Sequence, residues 1–261
     1  MSEGVTLHYP AAPVSISQNS YGELSGITVK YSTDGSVKTI PCTTVLLSCG
    51  AWTPKVFQQL FPDSDLQIQI TPLAGHHIVV RSPRLPVPRT QAFDDKVEPK
   101  ALRSECHAIF SSLPSSMSSF SPEFFSRVTG EIWFGGLNSS TLPLPELATA
   151  AQVEDHSIKH LREVARKLLG GPKPDDPDDP DDLEVTREAV CFRPVTPSGK
   201  PILSRVKNDD LGRVKNPAQG GVFIAAGHGP WGIALSLGTG KVMAEMIEGM
   251  ETSADVTRLG Y

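Results

Sequence analysis

The amino-acid sequence predicts a mixed α/β fold, and three observations carry that expectation. Two short, continuous apolar runs, residues 43–48 and 222–226, read as strands buried on both faces. The second run breaks into a turn holding Gly227, Gly229 and Gly232, and an apolar helical pattern follows over residues 233–247. Elsewhere, short segments alternate apolar and polar side chains, the mark of half-buried strands.

Taken in order, residues 13–17, 27–31 and 37–40 alternate and read as strands. Asp34-Gly35 between the last two marks a hairpin turn. The run 43–48 reads as a central strand that ends at Cys49-Gly50-Ala51-Trp52. Thr53 is then expected to cap a short helix over 55–60, with Pro54 at its first position. Residues 68–70 and 77–80 read as further strands, and the proline-crowded segment 82–99 as a surface connection. Strands are expected at 107–110 and 124–128 around a serine-rich loop, and again at 131–136. Residues 148–169 give the longest helical signal, with Val153, Ile158, Leu161, Val164, Ala165, Leu168 and Leu169 as its apolar stripe. Gly170-Gly171-Pro172 should stop it. The acidic, proline-punctuated run 173–182 reads as a solvated loop. A strand over 183–192, a turn over 196–201 and a returning strand at Ile202-Leu203 complete the order.

Composition narrows the function classes. A chain of 261 residues with 39% hydrophobic and 20% charged residues is long and apolar enough to bury a core. Lys+Arg 24 against Asp+Glu 29 leaves a net charge of −5, which argues against a nucleic-acid partner. No apolar stretch reaches the roughly 18 residues of a membrane span, and the first residues lack the pattern of a secretory signal. The four scattered cysteines, Cys42, Cys49, Cys106 and Cys191, read as free thiols of a reducing, cytoplasmic compartment.

Several motif signals fail on their residues. Gly238-Thr239-Gly240-Lys241-Val242 lacks the first glycine and the Ser/Thr of a phosphate loop, and reads as the body of the last helix with small residues for close packing. Around His76-His77 and His228 no Cys or His falls at metal-ligand spacing, so no metal site is expected. The glycine turn is different. A strand, a glycine turn and a helix start together aim backbone N–H groups and a helix dipole at an anionic or electron-rich ligand, and glycine lets that ligand approach the backbone closely.

Four segments occur in a distinctive order: residues 45–52, then 71–76, then 191–202 with Arg193-Pro194-x-Thr196-Pro197-x-Gly199-x-Pro201, then the Gly227-His228 turn with Gly232-Ile233. This order resembles the carboxy-terminal two-thirds of FAD-dependent oxidoreductases of the D-amino-acid oxidase, glycine oxidase and sarcosine oxidase superfamily, over roughly residues 22–247. The resemblance implies a partial FAD-binding Rossmann-like domain, residues 1–66 and 190–261, interleaved with a substrate domain, residues 67–189. It implies that the substrate domain is built on a mixed, largely antiparallel sheet, that FAD is the cofactor, and that an amine or amino acid is the small-molecule substrate. Gly50, Ala51 and Trp52 would lie beside the cofactor. Gly227, His228, Gly229, Pro230, Trp231, Gly232 and Ile233 would wrap the flavin ring, where a helix N-terminus can stabilise negative charge on the reduced ring. Arg193 would grip a substrate carboxylate with two parallel hydrogen bonds, and His228 and Trp231 would either wall the substrate cavity or serve packing. Cys191 occupies the place of a flavin-bonded cysteine in sarcosine-oxidase relatives, but its neighbours differ and a buried, inert thiol is expected. No catalytic acid or base is implied.

The Gly-x-Gly-x-x-Gly strand–turn–helix that binds the FAD pyrophosphate in these enzymes does not occur after any early strand. The sequence therefore reads as a truncated or degenerate relative, expected to hold FAD weakly or not at all by itself. Two functions follow: an FAD-dependent oxidoreductase acting on an amine or amino acid, or a non-catalytic form of the fold that acts by binding a partner.

Overall fold

The computed structural model describes residues 4–85, 106–116, 119–127, 129–173, 175–176, 178–179 and 181–261. In chain order its first elements are β1 (Ala11–Gln18), β2 (Leu24–Tyr31), β3 (Val37–Pro41), β4 (Thr44–Leu47) and α1 (Thr53–Leu60). Next come β5 (Thr71–Arg81), β6 (Ala108–Phe110), β7 (Glu123–Ser126), β8 (Glu131–Ser139), α2 (Asp155–Leu169) and β9 (Glu184–Val195). The last are β10 (Ile202–Arg205), β11 (Gly221–Ala226) and α3 (Gly232–Ile247). The mixed α/β expectation holds. The chain divides into two compact units, residues 1–72 with 193–261, and residues 73–192.

In the first unit, β1, β2 and β3 form an antiparallel meander, and Gly35 takes a φ of +71° in the turn that joins the last two. A second sheet has the order β10-β11-β4, with β10 antiparallel and β4 parallel to β11. Every residue of β11 is buried, and its side chains alternate between two cores. Val222, Ile224 and Ala226 join Val45, Leu47, Phe57, Leu60 and Phe61 on one face. Phe223 and Ala225 join Leu203 and Met243 of α3 on the other. Val222, Phe223 and Ile224 contribute about 1.5–3 kcal/mol each when fully buried, so β11 anchors the unit.

In the second unit, β6-β7-β8-β5-β9 form one sheet. Ile78, Val80, Phe124 and Phe134 project from one face onto Ile158, Leu161, Val164 and Ala165 of α2. An aromatic row crosses four strands, with Trp133 5.3 Å from His77 and 5.2 Å from Phe125, and Phe125 5.6 Å from Phe110 between ring centroids. Asp182 has a fully buried side chain that accepts from Arg84 Nε at 2.8 Å and from the Gly171 N–H at 2.9 Å. Arg84 also donates to the Leu169 carbonyl, so this pair closes the C-terminal end of α2.

Several expectations need correction. β4 is not central: it lies at the edge of the described sheet, and Leu46 is 40% exposed between buried Val45 and Leu47. A short apolar run cannot by itself distinguish one covered face from two. Thr53 does not cap α1. A 3-10 turn at Gly50–Trp52 runs directly into the helix, so Thr53 is already helical and its buried hydroxyl has no hydrogen-bond partner. Residues 68–70 form no strand, although Ile68 and Ile70 are core residues. The long helix begins at Asp155, because residues 148–150 form a separate 3-10 turn. Residues 202–205 pair with β11 rather than with the preceding strand. Gly238 and Gly240 serve no close packing: nothing lies within 4 Å of a Cβ built at either. Cys191 is exposed, not buried. The proline-rich connection from residue 86 to 99, Val128, and residues 174, 177 and 180 of the acidic run lie outside the described residues.

Candidate functional site

The parallel register Val222↔Val45 and Ile224↔Leu47 sets the carboxyl ends of β4 and β11 side by side. Gly50 follows β4 by three residues, and Gly227 follows β11 directly. Both glycines have positive φ, +56° and +82°, which a residue with a side chain adopts only with strain. The two glycine turns are therefore brought to one end of one sheet, the end at which open α/β sheets place ligands. Each turn leads into a helix. Gly50–Trp52 leads into α1, and Gly229–Trp231 leads into α3. No side chain caps any of these helix starts, so the leading N–H groups of α3 are not claimed by a side-chain acceptor. A Cβ built at Gly50 or Gly229 would stand in open space.

The remaining predicted residues differ in setting. Ala51 is buried and Trp52 half-buried. Pro230 is exposed, Trp231 is 63% exposed and Ile233 94% exposed. His228 is half-buried, and burial holds its imidazole below the ordinary value. Its backbone makes an antiparallel bridge to Val195, and Trp231 N–H donates to its carbonyl at 3.0 Å. The bridge pairs His228 with Val195, and half-buried Arg193 lies two residues, about 7 Å, back along the strand from that pair.

Two residues of this neighbourhood were not evident from sequence. Thr196 is buried. Its hydroxyl donates to the Lys200 carbonyl at 2.6 Å, and its methyl occupies the place beside Gly227 where a Cβ would come within 2.6 Å of it. Thr239, two helical turns into α3, has its hydroxyl 3.0 Å from His228 Nε2. The Thr-Pro-x-Gly spacing could have suggested a packed turn at Thr196; no local signal marks Thr239.

One unit thus carries a mixed sheet with two glycine turns at the carboxyl ends of its parallel pair, and the other a five-stranded sheet backed by one helix, a mixed α/β fold. The chain belongs to the FAD dependent oxidoreductase family, DAO, which matches residues 1–246. That family is one of enzymes, and its cofactor is FAD. The chain is 26% identical over 265 residues to TDA3 of Saccharomyces cerevisiae, covering 97% of this chain and 42% of that protein. It is 24% identical over 227 residues to a protein of Schizosaccharomyces pombe, covering 86% of this chain and 47% of that one. Both relatives are provisionally named oxidoreductases. Among solved structures, glycine oxidase from Geobacillus kaustophilus aligns with a TM-score of 0.61 at 20% identity, covering 96% of this chain and 51% of that one. NikD, an amino acid oxidase of nikkomycin biosynthesis, aligns at 0.64 and 16% identity, covering 98% and 56%. These likenesses show the fold. The chain spans about half the length of the relatives it matches. Among the described residues, no helix is long and apolar enough to cross a membrane.

Proposed function

We propose that this chain provides the flavin-ring side and the carboxylate anchor of an FAD-dependent oxidoreductase acting on an amine or amino acid. The observation that carries the reading is the pair of glycine turns at the carboxyl ends of β4 and β11, with the uncapped start of α3 beside them. These residues fit a flavin: Gly50 and Gly229 leave open space for a planar ring, and a helix start without a side-chain cap suits a group that becomes negative on reduction. FAD, when bound, supplies the hydride acceptor that no side chain can provide. The chain's own part is positional. Gly50 and Gly227–Ile233 hold the ring, and Trp231 walls the cavity. Arg193 holds the substrate carboxylate by two parallel N–H···O bonds, which fixes the amine-bearing carbon for transfer.

The test begins with titration of FAD into the purified protein, read by flavin fluorescence, followed by anaerobic bleaching of the flavin band with amino acids and secondary amines. Arg193→Ala is expected to weaken carboxylate substrates roughly 10- to 100-fold, the loss of a charge-assisted hydrogen-bond pair, and Arg193→Lys is not expected to restore them. Unchanged affinity in Arg193→Ala sinks the anchor role. A second reading, a non-catalytic binding protein of this fold, is favoured by the apolar face of α3, where Ile233 and Leu237 are 94% and 89% exposed. Saturable FAD binding with substrate-dependent bleaching decides for the enzyme.

A further inference from the structure

We propose that Thr239 is a positioning residue of the site: its hydroxyl engages His228 Nε2 and thereby fixes the path of the 227–232 turn onto α3. The inference rests on the flavin-ring reading of that turn. The entry to the turn is held by backbone and packing, through the Val195–His228 bridge and the Thr196 methyl against Gly227. The exit has one backbone hydrogen bond, from Trp231 N–H to the His228 carbonyl at 3.0 Å. Neither His228 nor Trp231 provides a side-chain cap, and a Cβ at Gly229 would touch nothing. The His228–Thr239 contact, 3.0 Å across eleven residues of sequence, ties the exit to the helix body. Thr239 lies seven residues beyond Gly232, about 10 Å along the helix axis, so the imidazole lies against the first two turns of α3.

The hydroxyl has a second consequence. The hydroxyl can donate to Nε2 or accept from Nε2–H, so Thr239 engages either tautomer of His228 and holds the ring in one orientation. With the ring fixed, the turn N–H groups keep one direction whether or not a ligand is present. Without it, the exit keeps only its Trp231–His228 backbone hydrogen bond. Preorganised donors cost no rearrangement when charge develops opposite them, and that is the value of such a brace.

The test compares Thr239→Val, which keeps the shape and removes the hydroxyl, with Thr239→Ser, which keeps the hydroxyl. Amide hydrogen exchange of residues 227–232 and the ring-nitrogen NMR spectrum of His228 are measured in both, together with fluorescence titration of FAD. In Thr239→Val, turn exchange is expected to rise roughly tenfold, the loss of one hydrogen bond, with β11 exchange unchanged and the His228 Nε2 signal shifted by loss of its hydroxyl partner. Thr239→Ser is expected to match the unmodified protein. An unchanged turn and His228 spectrum in Thr239→Val overturns the proposal, as does a Thr239→Ser protein that behaves like the valine variant. If the turn loosens as expected but FAD moves no turn signal in any variant, the positioning role stands and the flavin reading falls.

Discussion

Gly227→Ala probes the geometry on which the site is built. The residue has a φ of +82°, where an L-residue with a Cβ costs about 1–2 kcal/mol. The added methyl would also sit 2.6 Å from Thr196 Cγ2, roughly an ångström inside ordinary carbon–carbon contact. Relieving such an overlap by local shifts costs about 1–3 kcal/mol. The two terms give about 2–5 kcal/mol, or a melting temperature lower by roughly 5–20 °C for a chain of this size. They can be separated. Thr196→Ser deletes the methyl and keeps the hydroxyl that donates to Lys200. In the double variant the steric part should be recovered and the backbone part should remain, a coupling of about 1–3 kcal/mol. Urea unfolding of the four proteins measures it. A Gly227→Ala protein within about 0.5 kcal/mol of the parent, or strictly additive variants, would refute the argument.

Other expectations concern charge. The Arg84 guanidinium beside Asp182 holds its carboxyl below the ordinary range. Its stabilisation is complete above about pH 4 and is lost as pH falls through the lowered folded-state value. Asp182→Asn should cost about 1–3 kcal/mol at neutral pH, with the gap closing in acid, as followed by thermal melts across pH. Burial holds the imidazoles of His76 and His228 below the ordinary value. The unfolded chain takes up more protons at and below about pH 6.5, so stability should decline as pH falls from there toward the folded-state values. His76→Gln, which can still accept from the Glu154 N–H as His76 does at 3.2 Å, should flatten part of that slope; an unchanged slope would deny His76 any share in it.

Much of the chain was legible because its signals are local. The alternation at 27–31 and 37–40, the Asp34-Gly35 turn and the apolar stripe of α2 report their neighbours within a few residues. Where the sequence misled, the missing information was non-local. Whether Leu46 is covered depends on what lies across the sheet from it, not on its run of apolar neighbours. Thr53 lost its capping role because the preceding 3-10 turn continued into α1. Residues 68–70 are apolar because they pack in the core, and they do so without pairing.

For the site, the amino-acid sequence alone determined the glycine turn after a buried strand, the Arg193 segment and the family to which both point. Glycines at positive φ and a strand–turn–helix order are properties of a few consecutive residues. Only the tertiary structure decided that Gly50 and Gly227 share one end of a parallel pair, that Val195 bridges His228, and that Thr196 and Thr239 brace the turn from either side. Those contacts join residues as far apart as 47 and 224. Local propensity carries no record of such pairings; packing around the buried β11 brings them together.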